Sequence, residues 1–155
     1  MQYFSLRCRS AELKAADAGE PARHILLVED NPADAELVRV ALLEHAVECE
    51  LALVTNGETA LAFIETVELE QTPRPDLIII DLRLPIIPGR EVLRYLKTTT
   101  RCQHVPVLVL TSSDSLADRK ETAGLGATKY VQKPFRLVEY LKLGIVFKQM
   151  LETPQ

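Results

Sequence analysis

Leu77-Ile78-Ile79-Ile80-Asp81-Leu82 is the stretch whose reading decides the fold. Four apolar residues, three of them β-branched, run without alternation, as in a parallel strand buried on both faces. A carboxylate inside such a strand would be costly to desolvate. Asp81 therefore belongs at the strand's C-terminal tip, where an open α/β sheet has its crevice. Leu82-Arg83-Leu84-Pro85 ends the strand.

The segments on either side repeat the pattern. His24-Ile25-Leu26-Leu27-Val28 reads as a buried strand ending on Glu29-Asp30. Asn31-Pro32-Ala33-Asp34 then opens a helix, with Asn as N-cap, Pro in the first turn and a carboxylate near the positive end of the dipole. Glu48 to Val54 alternates polar and apolar residues, as a half-buried edge strand does. A helix after Asn56-Gly57 is broken at Thr72-Pro73-Arg74-Pro75, and another is expected from Arg90 to about Thr98. Val105 to Leu110 is a strand ending on Thr111. Ser115 to Asp118 opens a helix that stops by Gly126, and Lys129 to Gln132 is a short strand ending on Lys133-Pro134. One last helix is expected from Leu137 to Leu151. This alternation predicts an α/β domain with a five-stranded parallel sheet, flavodoxin-like order 2-1-3-4-5, and helices on both faces.

A chain of 155 residues has room for one core, placed at residues 23–152, with residues 1–22 expected as a tail outside it. The net charge of −4 argues against nucleic-acid binding through a basic surface. No apolar run approaches the roughly 20 residues of a membrane span. The first residues lack the apolar core of a signal peptide. Cys8, Cys49 and Cys102 are scattered and read as free thiols, which fits a cytoplasmic protein. Cys102-Gln103-His104, His24 and His45 have no second ligand pair at metal-binding spacing.

Chemistry gathers where the strands end. Glu29 and Asp30, Asp81, Thr111 and Lys133 stand at four exits, and only Thr55-Asn56 stands at the exit of the strand placed at the edge. Clustered carboxylates repel one another unless a cation joins them. Hard oxygen ligands without Cys or His suit Mg²⁺. Lys133 adds a second positive charge and Thr111 a hydroxyl. Such a pocket fits a tetrahedral anion around an aspartate, itself a nucleophile for phosphoryl groups.

The pieces Leu26-Leu27-Val28-Glu29-Asp30-Asn31, Ile79-Ile80-Asp81-Leu82-Arg83-Leu84-Pro85, Gly89, Thr111-Ser112, Gly126-Ala127 and Lys133-Pro134-Phe135 come in an order that resembles the receiver domain of two-component response regulators. Asn31-Pro32-Ala33-Asp34, Arg90-Glu91-Val92-Leu93 and the last helix look most like the stand-alone receivers paired with phytochrome histidine kinases. The resemblance implies that Asp81 accepts a phosphoryl group from a sensor histidine kinase. It also implies that Glu29, Asp30, Asp81 and the backbone carbonyl of Arg83 hold Mg²⁺, and that Lys133 contacts the phosphoryl group. Thr111 and Tyr130 would act as switch residues, and the Lys133–Pro134 bond would be cis. Pro88 departs from the family pattern, in which an Asp often precedes the glycine.

Output is expected through the domain's own surface. Leu137, Val138, Tyr140, Leu141, Leu143, Ile145, Val146, Phe147, Met150 and Leu151 cover more than one face of the last helix, which predicts a homodimer through it. The protein is read as a signalling module and not as an enzyme on external substrates. The alternative is a phosphorylation-independent adaptor, whose mark would be loss of the acceptor Asp or the Lys. A phosphatase using Asp81 would want a second acid where Arg83 stands.

Overall fold

The computed structural model describes residues 3–8 and 22–152. In chain order the elements are β1 (Phe4–Cys8), β2 (Arg23–Val28), α1 (Pro32–Glu44), β3 (Cys49–Val54), α2 (Gly57–Glu68) and β4 (Leu77–Ile80). They continue with α3 (Gly89–Thr98), β5 (Val107–Thr111), α4 (Leu116–Gly124), β6 (Lys129–Gln132), α5 (Leu137–Leu141) and α6 (Leu143–Glu152). The sheet order is β1-β3-β2-β4-β5-β6. β2 to β6 are mutually parallel in the doubly wound arrangement that the sequence predicts.

The strand count is corrected from five to six. β1 pairs antiparallel with β3, so Cys49–Val54 is covered on both sides and is not an edge strand. Within β1, Phe4, Leu6 and Cys8 alternate with Ser5 and Arg7, a two-residue period too short to stand out in a polar terminal stretch. Its anchoring is non-local. Arg7 pairs with Glu50 at 2.9 Å, and the Tyr3 ring meets Phe63 edge-on at 4.9 Å.

Pleating sends alternate side chains of each central strand to opposite layers. Ile25, Leu27, Leu77 and Ile79 pack beneath α1, α5 and α6 with Val38, Leu42 and Phe147. Leu26, Val28, Ile78 and Ile80 pack beneath α2 and α3 with Phe63, Ile64, Leu93 and Leu96. Each such fully buried side chain contributes about 1.5–3 kcal/mol relative to exposure, so the strand ends are held rigidly. The helix starts follow the capping signals. Asn31 Oδ1 accepts from the Ala33 and Asp34 N–H groups, Asn56 Oδ1 from Thr59 N–H, and Ser115 Oγ from Asp118 N–H.

The expected single last helix is interrupted at Lys142. A helical Leu141 carbonyl would accept from Ile145 N–H. Instead it faces His45 Nε2 at 3.1 Å, and Ile145 N–H turns to the Lys142 carbonyl at 3.0 Å. Just beyond the break, Gly144 lets α6 seat on α1, because a Cβ there would lie 2.3 Å from the Ala41 carbonyl oxygen. Of the ten apolar residues read from the sequence, Tyr140, Leu143, Phe147 and Leu151 are buried in the core, whereas Leu137, Val138 and Ile145 are exposed. Among the described residues no helix is long and apolar enough to cross a membrane.

Candidate functional site

Asp81 follows β4 and is 5% exposed. Its N–H still donates to Val28 O, so the sheet fixes its backbone, and Oδ1 accepts from Arg83 N–H at 3.2 Å. Close approach by the next turn requires Gly89, where a Cβ would lie 2.2 Å from the Asp81 carbonyl oxygen. One strand away, Glu29 is 2% exposed at the exit of β2, with Oε1 accepting from Asn31 N–H. Asp30 is exposed at the rim.

Lys133 enters from β6, its N–H held by the Thr111 carbonyl at 2.7 Å. Its Nζ donates to Asp81 Oδ2 at 2.8 Å and Asp34 Oδ2 at 2.9 Å, and lies 2.9 Å from Glu29 Oε2. The predicted convergence of Glu29, Asp81 and Lys133 is therefore present. Asp34 is the residue that sequence reasoning missed as a partner. In the sequence it reads as a helix-start carboxylate, and the signal for its second role is that the first turn after Glu29-Asp30 opens on the same crevice.

Burial pushes the Glu29 carboxyl up to about 7, against the pull of Lys133 and of Asn31 N–H. Burial opposes the charge on Lys133, but the Asp81, Asp34 and Glu29 carboxylates outweigh it and hold the ammonium above its ordinary range. Each of Glu29, Asp30 and Asp81 offers an oxygen, and these lie within 4.8 Å of one another. Three carboxylates, Glu29, Asp34 and Asp81, share the one Lys133 ammonium, with Asp30 close beside Glu29 and Asp81. An all-oxygen donor set of this kind fits a hard divalent cation such as Mg²⁺.

Thr111 is fully buried at the end of β5, with Ser113 N–H 3.5 Å from its Oγ1. Tyr130 reaches the same loop: its hydroxyl donates to Ser113 O at 2.8 Å, and the Arg119 guanidinium lies 4.5 Å over its ring. Ser113 Oγ in turn donates to Asp118, which also accepts from Arg90. Thr111 and Tyr130 thus meet at one loop through Ser113. Arg83 is exposed beside Asp81. No described peptide bond is cis, so Lys133–Pro134 is trans, against the expectation.

Residues 25–143 match the response regulator receiver domain family. The response regulator Rcp1 of Synechocystis sp. is 37% identical over 129 residues, 83% of this chain and 88% of that protein. The Mn²⁺-bound form of Rcp1 superposes with a TM-score of 0.77 at 36% identity, over 86% of this chain and 97% of that one. The phosphorylated cyanobacterial phytochrome response regulator RcpA gives a TM-score of 0.79 at 33% identity, over 87% and 98%. The receiver domain of the sensor histidine kinase PA1611 of Pseudomonas aeruginosa, with a magnesium ion coordinated in its active-site cleft, gives 0.68 at 27% identity, over 86% and 100%.

Proposed function

The chain belongs to the response regulator receiver family, whose members are signalling proteins and not classical enzymes, and from that premise we propose that it accepts a phosphoryl group on Asp81 from a sensor histidine kinase. The observation that carries the reading is Lys133 Nζ, 2.8 Å from Asp81 Oδ2, at the C-terminal end of the strands, which also presents Glu29 and Asp30. Glu29, Asp30, Asp81 and the backbone carbonyl of Arg83 would hold Mg²⁺, which when bound supplies positive charge toward the phosphoryl oxygens.

An Asp81 carboxylate oxygen attacks the phosphorus of a phosphohistidine, and the imidazole nitrogen leaves with the bonding pair. Lys133 keeps Asp81 oriented beforehand and afterwards donates to a phosphoryl oxygen. The Thr111 hydroxyl offers a neutral donor to the same group. Recruiting Thr111 pulls on the Ser113 loop and on Tyr130, biasing the surface around α4 and β6 between two arrangements. Hydrolysis of the aspartyl-phosphate resets the site.

The likeness to RcpA supports a kinase partner of phytochrome type, and the free thiols fit a cytoplasmic setting. Phe135, 99% exposed, and the exposed Leu137, Val138 and Ile145 are apolar side chains left at the surface of the last helical region, which supports a homodimer through it. The receiver unit spans residues 23–152, and β1 (Phe4–Cys8) extends its sheet and adds Cys8 to its core. Incubation with Mg²⁺ and acetyl phosphate tests the central point. One phosphoryl mass is expected on Asp81 and none on Asp81→Asn. A wild-type chain that stays unmodified by both acetyl phosphate and a phosphorylated kinase overturns the reading in favour of the adaptor.

A further inference from the structure

Cys8 and Cys49 face each other across the outermost strand pair of the sheet. The antiparallel register sets Phe4 opposite Leu53 and Cys8 directly opposite Cys49. Directly opposed residues in an antiparallel ladder have Cα atoms about 4.5–5.5 Å apart, inside the range of about 4.4–6.8 Å that a disulfide spans without backbone movement. Both side chains belong to the core layer beneath α1, at 2% and 1% exposure, and both are free thiols. Cys102 is separate, buried in the opposite layer with Glu68 as its neighbour.

We propose that Cys8 and Cys49 form a reversible intramolecular disulfide that fastens β1 to β3, with a low-molecular-weight disulfide as oxidant. Cys8 loses its proton, and its thiolate attacks one sulfur of the oxidant. The oxidant's S–S bond breaks, and the departing thiolate takes up a proton. The Cys49 thiol then gives up its own proton and attacks the Cys8 sulfur of the mixed disulfide, expelling the second small thiol, which leaves protonated. Two protein thiols are oxidised and one small disulfide is reduced to two thiols. Excess small thiol drives the reverse exchange.

The order of attack follows from the surroundings. The Cys49 thiol opposite it pulls the Cys8 thiol below its ordinary range, outweighing burial, and Arg39 adds to the effect. Cys49 moves the opposite way through the same contact and through burial. Access follows too. Cys8 is the last residue of a five-residue edge strand, so local fraying of β1 exposes it. Cys49 stays fixed between β1 and β2.

The test uses the full chain as Cys102→Ser, equilibrated natively with oxidised glutathione, acid-quenched and mapped by mass spectrometry. The expected product is a monomer lighter by two hydrogens, with the Cys8 and Cys49 peptides joined and both thiols recovered by dithiothreitol. Its urea midpoint should exceed that of the reduced form. Cys8→Ser or Cys49→Ser in the same background should show neither the crosslink nor the rise. The wild-type chain gives the same readout without relying on the Cys102 substitution, because mapping keeps the peptides apart. Two thiols that stay free under oxidised glutathione, crosslinking only between molecules, or joining only after denaturation would each overturn the proposal.

Discussion

Lys133→Met is the perturbation that weighs the candidate site most directly. The ammonium is shared by Glu29, Asp34 and Asp81, and its side chain is only 11% exposed. Charge-assisted hydrogen bonds contribute about 1.5–3 kcal/mol each, so three would sum to about 6 kcal/mol if nothing opposed them. Two effects do. Burying the ammonium itself costs several kcal/mol, which Met does not incur, and Asp34, 22% exposed, regains water when Lys133 is gone. The net expectation is a loss of about 3 kcal/mol, the low end for breaking a buried ion pair. At this chain length that is about 6–12 °C in Tm. Urea and thermal unfolding in EDTA measure it, and saturating Mg²⁺ should narrow the deficit by supplying positive charge to the same carboxylates. Asp34→Asn supplies the sign test. With Lys133 present it should change stability by less than about 1 kcal/mol, because lost attraction and relieved repulsion nearly cancel. In Lys133→Met only the repulsion is left to relieve, so Asp34→Asn should stabilise. A Lys133→Met protein as stable as wild type in EDTA, or a double variant less stable than Lys133→Met alone, would refute the reasoning.

Gly144→Ala should destabilise by about 1–2 kcal/mol in urea unfolding. Overpacking against the Ala41 carbonyl and the His45 ring costs about 1–3 kcal/mol, and better helix propensity returns less than 1 kcal/mol of that. Glu68 accepts from the Arg101, Thr100 and Cys102 N–H groups. Burial would raise its carboxyl, but these donors win and hold it below the usual value. A depressed folded-state pKa contributes stability above the unfolded value and loses it as pH falls through the folded one. The gap between wild type and Glu68→Gln, held by solvent to about 1 kcal/mol or less, should therefore be full at neutral pH and close as the pH falls below the ordinary carboxylate range. A gap that widens on acidification would contradict the assignment.

Much of the site could be read from the chain because its residues announce themselves locally. Asp81 ends the apolar strand Leu77–Ile80, and a charge at such a position has nowhere to go but the crevice, while Lys133 follows the short strand Lys129–Gln132 at the same end of the sheet. Asn31 and Ser115 cap where their spacing says they should. What escaped depends on partners remote in sequence. β1 holds only five residues, and its partner lies more than forty positions away. The break at Lys142 carries no Pro or Gly of its own and goes with the His45 ring, just past the end of α1, facing the Leu141 carbonyl. Asp34 fitted a helix start so well that its second neighbour, 99 positions on, left no trace in the local pattern.

The position of β1 has a practical consequence for anyone trimming this protein to its recognisable core. A chain cut just before Arg23 would strip the outer amides and carbonyls of Cys49–Val54 of their partners and bare Leu51 and Cys49 beside them. Open ladders with apolar flanks recruit other strands. The shortened protein would therefore be the stickier preparation, and clumping in it would say nothing about how the intact chain assembles.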